Sequence, residues 1–134
     1  MIPADERGRC AVVALKHGID YRLLIALRET ENGGPGREFG VLDEGAQTWD
    51  QQAEIAARTI RHTMGRYWAA MQGKLADWWD DQAGRYTADF LHYFSRGGQG
   101  YVGYAPMGAA NDPQGLNQNH YGNLLRFYGE ACGT

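Results

Sequence analysis

Apolar positions along the chain recur mostly at helical spacing, and strict alternation is almost absent. Residues 3–18 predict a first helix, with Pro3 in the opening turn, Gly18 at the stop, and Val12, Leu15 and Ile19 at helical intervals. Asp20 is placed to cap a second helix, from Tyr21 to about Asn32, that ends in Gly33-Gly34-Pro35-Gly36. A polar, glycine-rich segment follows to Gln47. Thr48-Trp49-Asp50-Gln51 then has the capping-box pattern, a hydroxyl first and a Gln three residues on. Behind it, Trp49, Ala53, Ala56, Ile60 and Met64 fall at steps of four, three, four and four, the stripe of one long helix. This helix is expected to pass Tyr67, with Gly65 as its weak point. In residues 74–81 the pattern is mixed, and Trp78-Trp79 reads as a helix end or a short turn. Thr87 caps a further helix carrying Phe90, Leu91 and Phe94. A second glycine-rich loop spans residues 97–117. Asn117 or Asn119 then caps a last helix on which Tyr121, Leu124, Leu125 and Tyr128 share a face.

No alternating segment is long enough for a full strand, although a short hairpin between Arg37 and Leu42 fits the pattern. The expectation is an all-α fold in a single domain covering residues 1–134, because this length supports one core and not two. With 43% hydrophobic residues, a packed core is within reach. No apolar run approaches the roughly 18 residues of a membrane helix, so no membrane insertion is expected. The start, Met1-Ile2-Pro3-Ala4-Asp5-Glu6, lacks the basic and apolar regions of a secretory signal. That fits a cytoplasmic protein, an export route invisible in the sequence, a phage-delivered protein or an excised domain.

A net charge of −3 with scattered basic residues argues against a nucleic-acid partner. A carbohydrate partner is compatible with four Trp and eight Tyr, whose rings can hold sugars. Cys10 and Cys132 lie near the two ends. They can pair in a disulfide worth roughly 4–5 kcal/mol in the chain-entropy model, or remain as two buried free thiols. His17, His62, His92 and His120 are isolated and no Cys/His grouping has zinc spacing, so neither metal nor cofactor is expected.

Candidate chemistry centres on Arg28-Glu29-Thr30-Glu31-Asn32-Gly33-Gly34. At about 100° per residue, Glu31 projects between Leu24 and Leu27 and extends the apolar side, whereas Glu29 points toward Arg22 and Ala26. Glu29 therefore reads as a solvated surface acid and Glu31 as a carboxyl at the edge of the core. Desolvation and the negative end of the helix dipole both favour the protonated form at such a place, which suits a general acid; lysozyme is the worked example of this idea. The same geometry fits a Glu that only ties Arg28 or Arg37 to the loop.

Thr30-Glu31-Asn32-Gly33-Gly34 resembles the Glu-Ser-Gly or Glu-Asn-Gly element of the lysozyme-like superfamily of lytic transglycosylases and muramidases. Arg37-Glu38-Phe39-Gly40-Val41-Leu42 resembles the glycine-containing segment that follows it and lines the cleft. Tyr104-Ala105-Pro106, Asn111-Asp112-Pro113 and Leu116-Asn117-Gln118-Asn119 resemble the downstream motif of a bacterial and phage branch. The likeness covers about Asp20 to Tyr128. It implies a lysozyme-like helical fold with a cleft between two lobes. It also implies cleavage of the β-1,4 bond between N-acetylmuramic acid and N-acetylglucosamine in peptidoglycan, with Glu31 as the catalytic acid. Common transglycosylases carry a Gly-Leu-Met-Gln type segment after the catalytic helix. Gly40-Val41-Leu42-Asp43 lacks its Gln, which leaves the details of substrate contact and the choice between transglycosylase and muramidase open.

Glu31 would protonate the bridging oxygen as the glycosidic bond breaks. The muramic acid 6-hydroxyl can then close a 1,6-anhydro ring, or a second carboxylate can deliver water or attack directly. Glu38, Asp43 and Glu44 are the candidate second acids, with a bond from Arg37 as the structural reading of Glu38. The absence of a clear partner acid gives the one-carboxylate route a slight edge. Tyr104 is a candidate to steady Glu31 or a sugar oxygen, or packs in the core. Asn111, Asn117 and Asn119 offer neutral groups for N-acetyl and hydroxyl recognition and are equally ordinary caps and turn formers. Tyr101 and Phe39 can stack on sugars or fill the core; Asp112 is most simply a turn residue. Rival functions are a catalytically inactive lysozyme-like module that binds glycan or builds a phage particle, a helical protein alike in fold alone, and an enzyme of chitin type. A monomer is expected.

Overall fold

The computed structural model describes residues 2–72 and 77–133. Among the described residues, five helices and one small hairpin occur in the order α1 (Ala4–His17), α2 (Tyr21–Glu31), α3 (Trp49–Met71), β1 (Trp79–Asp80), β2 (Arg85–Tyr86), α4 (Ala88–Arg96) and α5 (His120–Ala131). The mainly helical class expected from periodicity is present. The chain divides into two compact units, Met1–Arg61 with Phe127–Thr134, and His62–Arg126. The divisions fall within α3 and α5. No described helix is long and apolar enough to cross a membrane.

In the first unit, α1 follows Pro3 and is closed by Gly18, with Asp5 and Glu6 at its positive end and Lys16 and His17 at its negative end. α1 packs against α2. Its buried positions are Cys10 and Ala14, whereas Val12 and Leu15 are 71% and 84% exposed. Periodicity defined an apolar side here, but the small residues decide which side packs, because they let the helices approach. Asp20 caps α2 as expected, accepting from the Arg22 amide and from the Arg22 guanidinium. The Tyr128 hydroxyl donates to the same carboxylate at 2.6 Å and anchors the end of α5. Leu23, Leu24, Ile25, Ala26 and Leu27 are all buried, so α2 is enclosed on every side. The capping box of α3 forms in full: Thr48 Oγ1 accepts from the Gln51 amide, and Gln51 Oε1 accepts from the Thr48 amide.

In the second unit, Tyr67 meets Phe90 and Tyr93 edge-on, and Tyr86 lies against Phe90. Thr87 caps α4 by accepting from the Phe90 amide, and Phe90, Leu91 and Phe94 are buried as their spacing predicted. On α5, Leu124 is buried while Leu125 is partly exposed, so the expected shared face is narrower than four residues.

The hairpin expected between Arg37 and Leu42 does not form. The strands lie at β1 and β2 instead, pairing Trp79 with Tyr86 and Asp80 with Arg85. The Phe39 and Val41 amides bond to a side chain from α3 and so have no need of a partner strand. Trp79, expected at a helix end or turn, is in β1 and meets Tyr86 edge-on at 5.4 Å. The part of that expectation on residues 74–76 lies outside the described residues. Cys10 and Cys132 are both free; Cys10 is buried, which pushes its thiol up to about 12, and Cys132 is half-buried.

Candidate functional site

Glu31 is the last residue of α2, and Asn32 stops the helix in a left-handed conformation with its amide bonded to the Arg28 carbonyl. The carboxyl group therefore stands one turn beyond the buried stretch of residues 23–27, where the helix leaves the core, and Glu31 is half-buried there. Glu29 is half-buried as well, so burial alone does not separate the two acids. What sets the two acids apart is Gly40. Its φ of +72° favours glycine, and a Cβ at that position would overlap Glu31 Oε1. The Glu31 carboxyl thus lies directly against the Gly40 backbone, bringing the two halves of the sequence motif together.

The segment between them is tied down by side chains. Gln52, fully buried on α3, accepts from the Phe39 and Val41 amides at 3.2 and 3.1 Å. Its Nε2 donates to the Val41 and Ala46 carbonyls at 2.8 and 2.7 Å. All four hydrogen-bonding positions of the amide are used. Arg28 donates to Glu6 at 2.8 Å and reaches the carbonyls of Gly33 and Glu38. Trp49 Nε1 donates to the same Glu6 oxygen at 2.6 Å, and the Arg9 guanidinium lies over the Trp49 ring. Burial acts to raise the Glu6 pKa. The bonds from Arg28 and Trp49 and the charges of Arg28 and Arg9 outweigh it and hold the carboxyl below its ordinary value.

Of the expected substrate contacts in this unit, Arg37 donates to the carbonyls of Gly36 and Ala46. Glu38 is buried and accepts from the Gly36 amide. Phe39 is fully buried, edge-on to Trp49 at 5.4 Å, which removes it as a sugar-stacking residue. Here tertiary packing claims an aromatic ring that the sequence could place either way. Among the other acids, Asp43 accepts from the Gly45 amide and Glu44 is exposed.

Tyr101, Tyr104, Asn111, Asn117 and Asn119 belong to the second unit. The Tyr101 ring lies beneath the Arg66 guanidinium and beside a depression of about 510 Å³ floored by Gly98 and Gly100. Its hydroxyl is buried without a partner in hydrogen-bonding geometry among the described residues. Burial pushes it up to about 12, against the opposing influence of nearby Thr63 and Arg66. The Tyr104 ring packs on Phe94 and stacks with His120, whose Nδ1 meets Ser95 Oγ at 2.7 Å. Asn117 donates to the Pro106 carbonyl, a turn role. Asp112 is the expected turn residue, accepting from the Leu116 and Asn117 amides. Asn111 is exposed in a turn, and Asn119 is exposed beside Asp112 and Gln118 along a second depression. No group of His, Cys, Asp and Glu among the described residues could hold a metal ion.

Gln52, Glu6 and Arg28 were not legible as site residues. The one available signal was a glutamine interrupting the apolar stripe of α3 between Trp49 and Ala53. The arrangement holds the Glu31 carboxyl half-buried at a helix end, where such a group can give and take a proton at a fixed point. Comparison with protein-family models, with curated proteins and with solved structures gives no match.

Proposed function

We propose that this protein is a lysozyme-like enzyme that cleaves the glycan strand of peptidoglycan between N-acetylmuramic acid and N-acetylglucosamine, with Glu31 as its acid and base. The observation that carries this reading is the seating of the Glu31 carboxyl on Gly40, which joins two sequence elements that resemble that superfamily. Glu31 gives its proton to the bridging oxygen as the bond from that oxygen to the anomeric carbon breaks. The muramic acid 6-hydroxyl then bonds to that carbon and returns its proton to Glu31, leaving a 1,6-anhydro end. Glu38 and Asp43 each engage a backbone amide, which favours this one-carboxylate route over hydrolysis. The substrate is cell-wall polymer, and the chemistry needs no cofactor.

Digestion of purified sacculi followed by mass spectrometry of the muropeptides tests the proposal. Anhydro ends are expected, and reducing ends would convert the assignment to a muramidase. Glu31→Gln, which cannot donate the proton, should lower the rate by at least about 100-fold. Folded wild-type protein that releases no product would end the enzymatic reading, and full activity in Glu31→Gln would end the site assignment.

A further inference from the structure

We infer that Gln52 is a positioning residue for Glu31, acting through Gly40; the inference rests on Glu31 being the proton donor. Gln52 is fully buried, and a polar side chain there costs stability unless every group is bonded. A Met or Leu would fill the same place on α3 without that cost. What the amide adds is direction, because all four of its bonds go to one stretch of backbone, residues 39–46.

Two of those bonds take the amides on either side of Gly40. Glycine visits many backbone conformations, so Gly40 by itself does not hold a φ of +72°. The Val41 bond holds the 40–41 peptide, the Gly40 amide holds the 39–40 peptide through its own bond to the Arg37 carbonyl at 3.0 Å, and the Phe39 bond fixes the peptide just before; together they fix that angle. The same conformation turns the bare Cα toward Glu31 Oε1, with no room for a Cβ between them. Rotation of either peptide would move the surface on which the carboxyl rests. Gln52 touches no reacting atom in this scheme; it sets where Glu31 stands.

Two variants test this. Gln52→Met keeps the volume and loses all four bonds. Gln52→Glu keeps the two acceptor bonds and loses both donors, and it serves the same measurements if the Met variant does not fold. Folded protein is verified by circular dichroism and Tm. On soluble glycan strands, kcat should fall about tenfold or more while KM stays within about twofold, because misplacing a catalytic group costs rate more than ground-state binding. The ¹³C signal of the Glu31 carboxyl and the Gly40 amide signal are followed against pH by NMR. Both should shift from wild type, whereas a purely structural role would lower Tm and leave them in place. Wild-type Glu31 and Gly40 signals in a folded variant would overturn the inference, whatever its activity. If wild-type protein cleaves nothing, the enzymatic reading fails, and the NMR comparison still decides whether Gln52 sets the surroundings of Glu31.

Discussion

Residues 32–47 and residues 97–119 are the two glycine-rich stretches of the chain, and they are held in different ways. The first is gripped by side chains from helices: Gln52 from α3, and Arg28 from α2, which is itself bonded to Glu6 of α1. The second is tied to α4 by backbone bonds, from the Tyr104 amide to the Phe94 carbonyl and from the Ala105 amide to the Ser95 carbonyl, and by single side-chain bonds from Tyr93 to the Gln99 carbonyl and from Arg96 to the Gln118 carbonyl. Beyond Pro106 it is held largely by its own turns, through Asp112 and Asn117. The share of glycine is similar in both. A loop fixed by buried side chains can present a functional group at a defined point, and a loop folded on itself mainly covers surface.

The widest separation between the two should come from matched glycine substitutions. Gly40→Ala forces a Cβ into Glu31 Oε1 and should reduce glycan cleavage by at least about 100-fold. Gly108 also has a positive φ, +97°, but with open space around it, so Gly108→Ala should cost only about 1–2 kcal/mol of backbone strain and leave cleavage intact. Product release from sacculi and urea unfolding measure the pair. Equal activity in both would erase the distinction.

Next in size is the loss of each loop's main side-chain anchor. Gln52→Ala leaves buried backbone groups unpaired and should cost about 3 kcal/mol or more in urea unfolding. Asp112→Ala loses two amide bonds near solvent and should cost about 1 kcal/mol. The acid response should sharpen the contrast further. Glu6, below its ordinary 4.5 in the folded protein, contributes stability that is complete above about that pH and is lost as pH falls through the lower folded value. Unfolding from about pH 6 to about pH 3 should therefore show a shallower acid slope in Glu6→Gln than in wild type. The smallest effect belongs to Tyr101 in the second loop. Its buried hydroxyl has no partner in full hydrogen-bonding geometry among the described residues, with Thr63 nearby, so Tyr101→Phe should lie within about 0.5 kcal/mol of wild type, or be slightly more stable.

Much of the fold is legible in the sequence. Asp20, Thr48 with Gln51, and Thr87 are caps as their positions predicted, because a cap is a contact within a few residues. The stripe Trp49, Ala53, Ala56, Ile60 and Met64 is buried along its length for the same kind of reason. The exposed Val12 and Leu15, the buried Phe39 and the displaced hairpin were not legible. Each depends on which partner arrives from a distant part of the chain.

The candidate site divides along the same line. Helical phase pointed to Glu31 over Glu29, and glycines on either side marked where the backbone would turn. The sequence by itself determined the helices, their ends and the position of that acid at the close of α2, since all of these follow from interactions within one or two turns. Only the tertiary structure decided that Gly40 lies against the carboxyl and that Gln52 frames it. Those contacts bridge 9 to 13 residues through irregular backbone, where no periodicity carries the register from one end to the other.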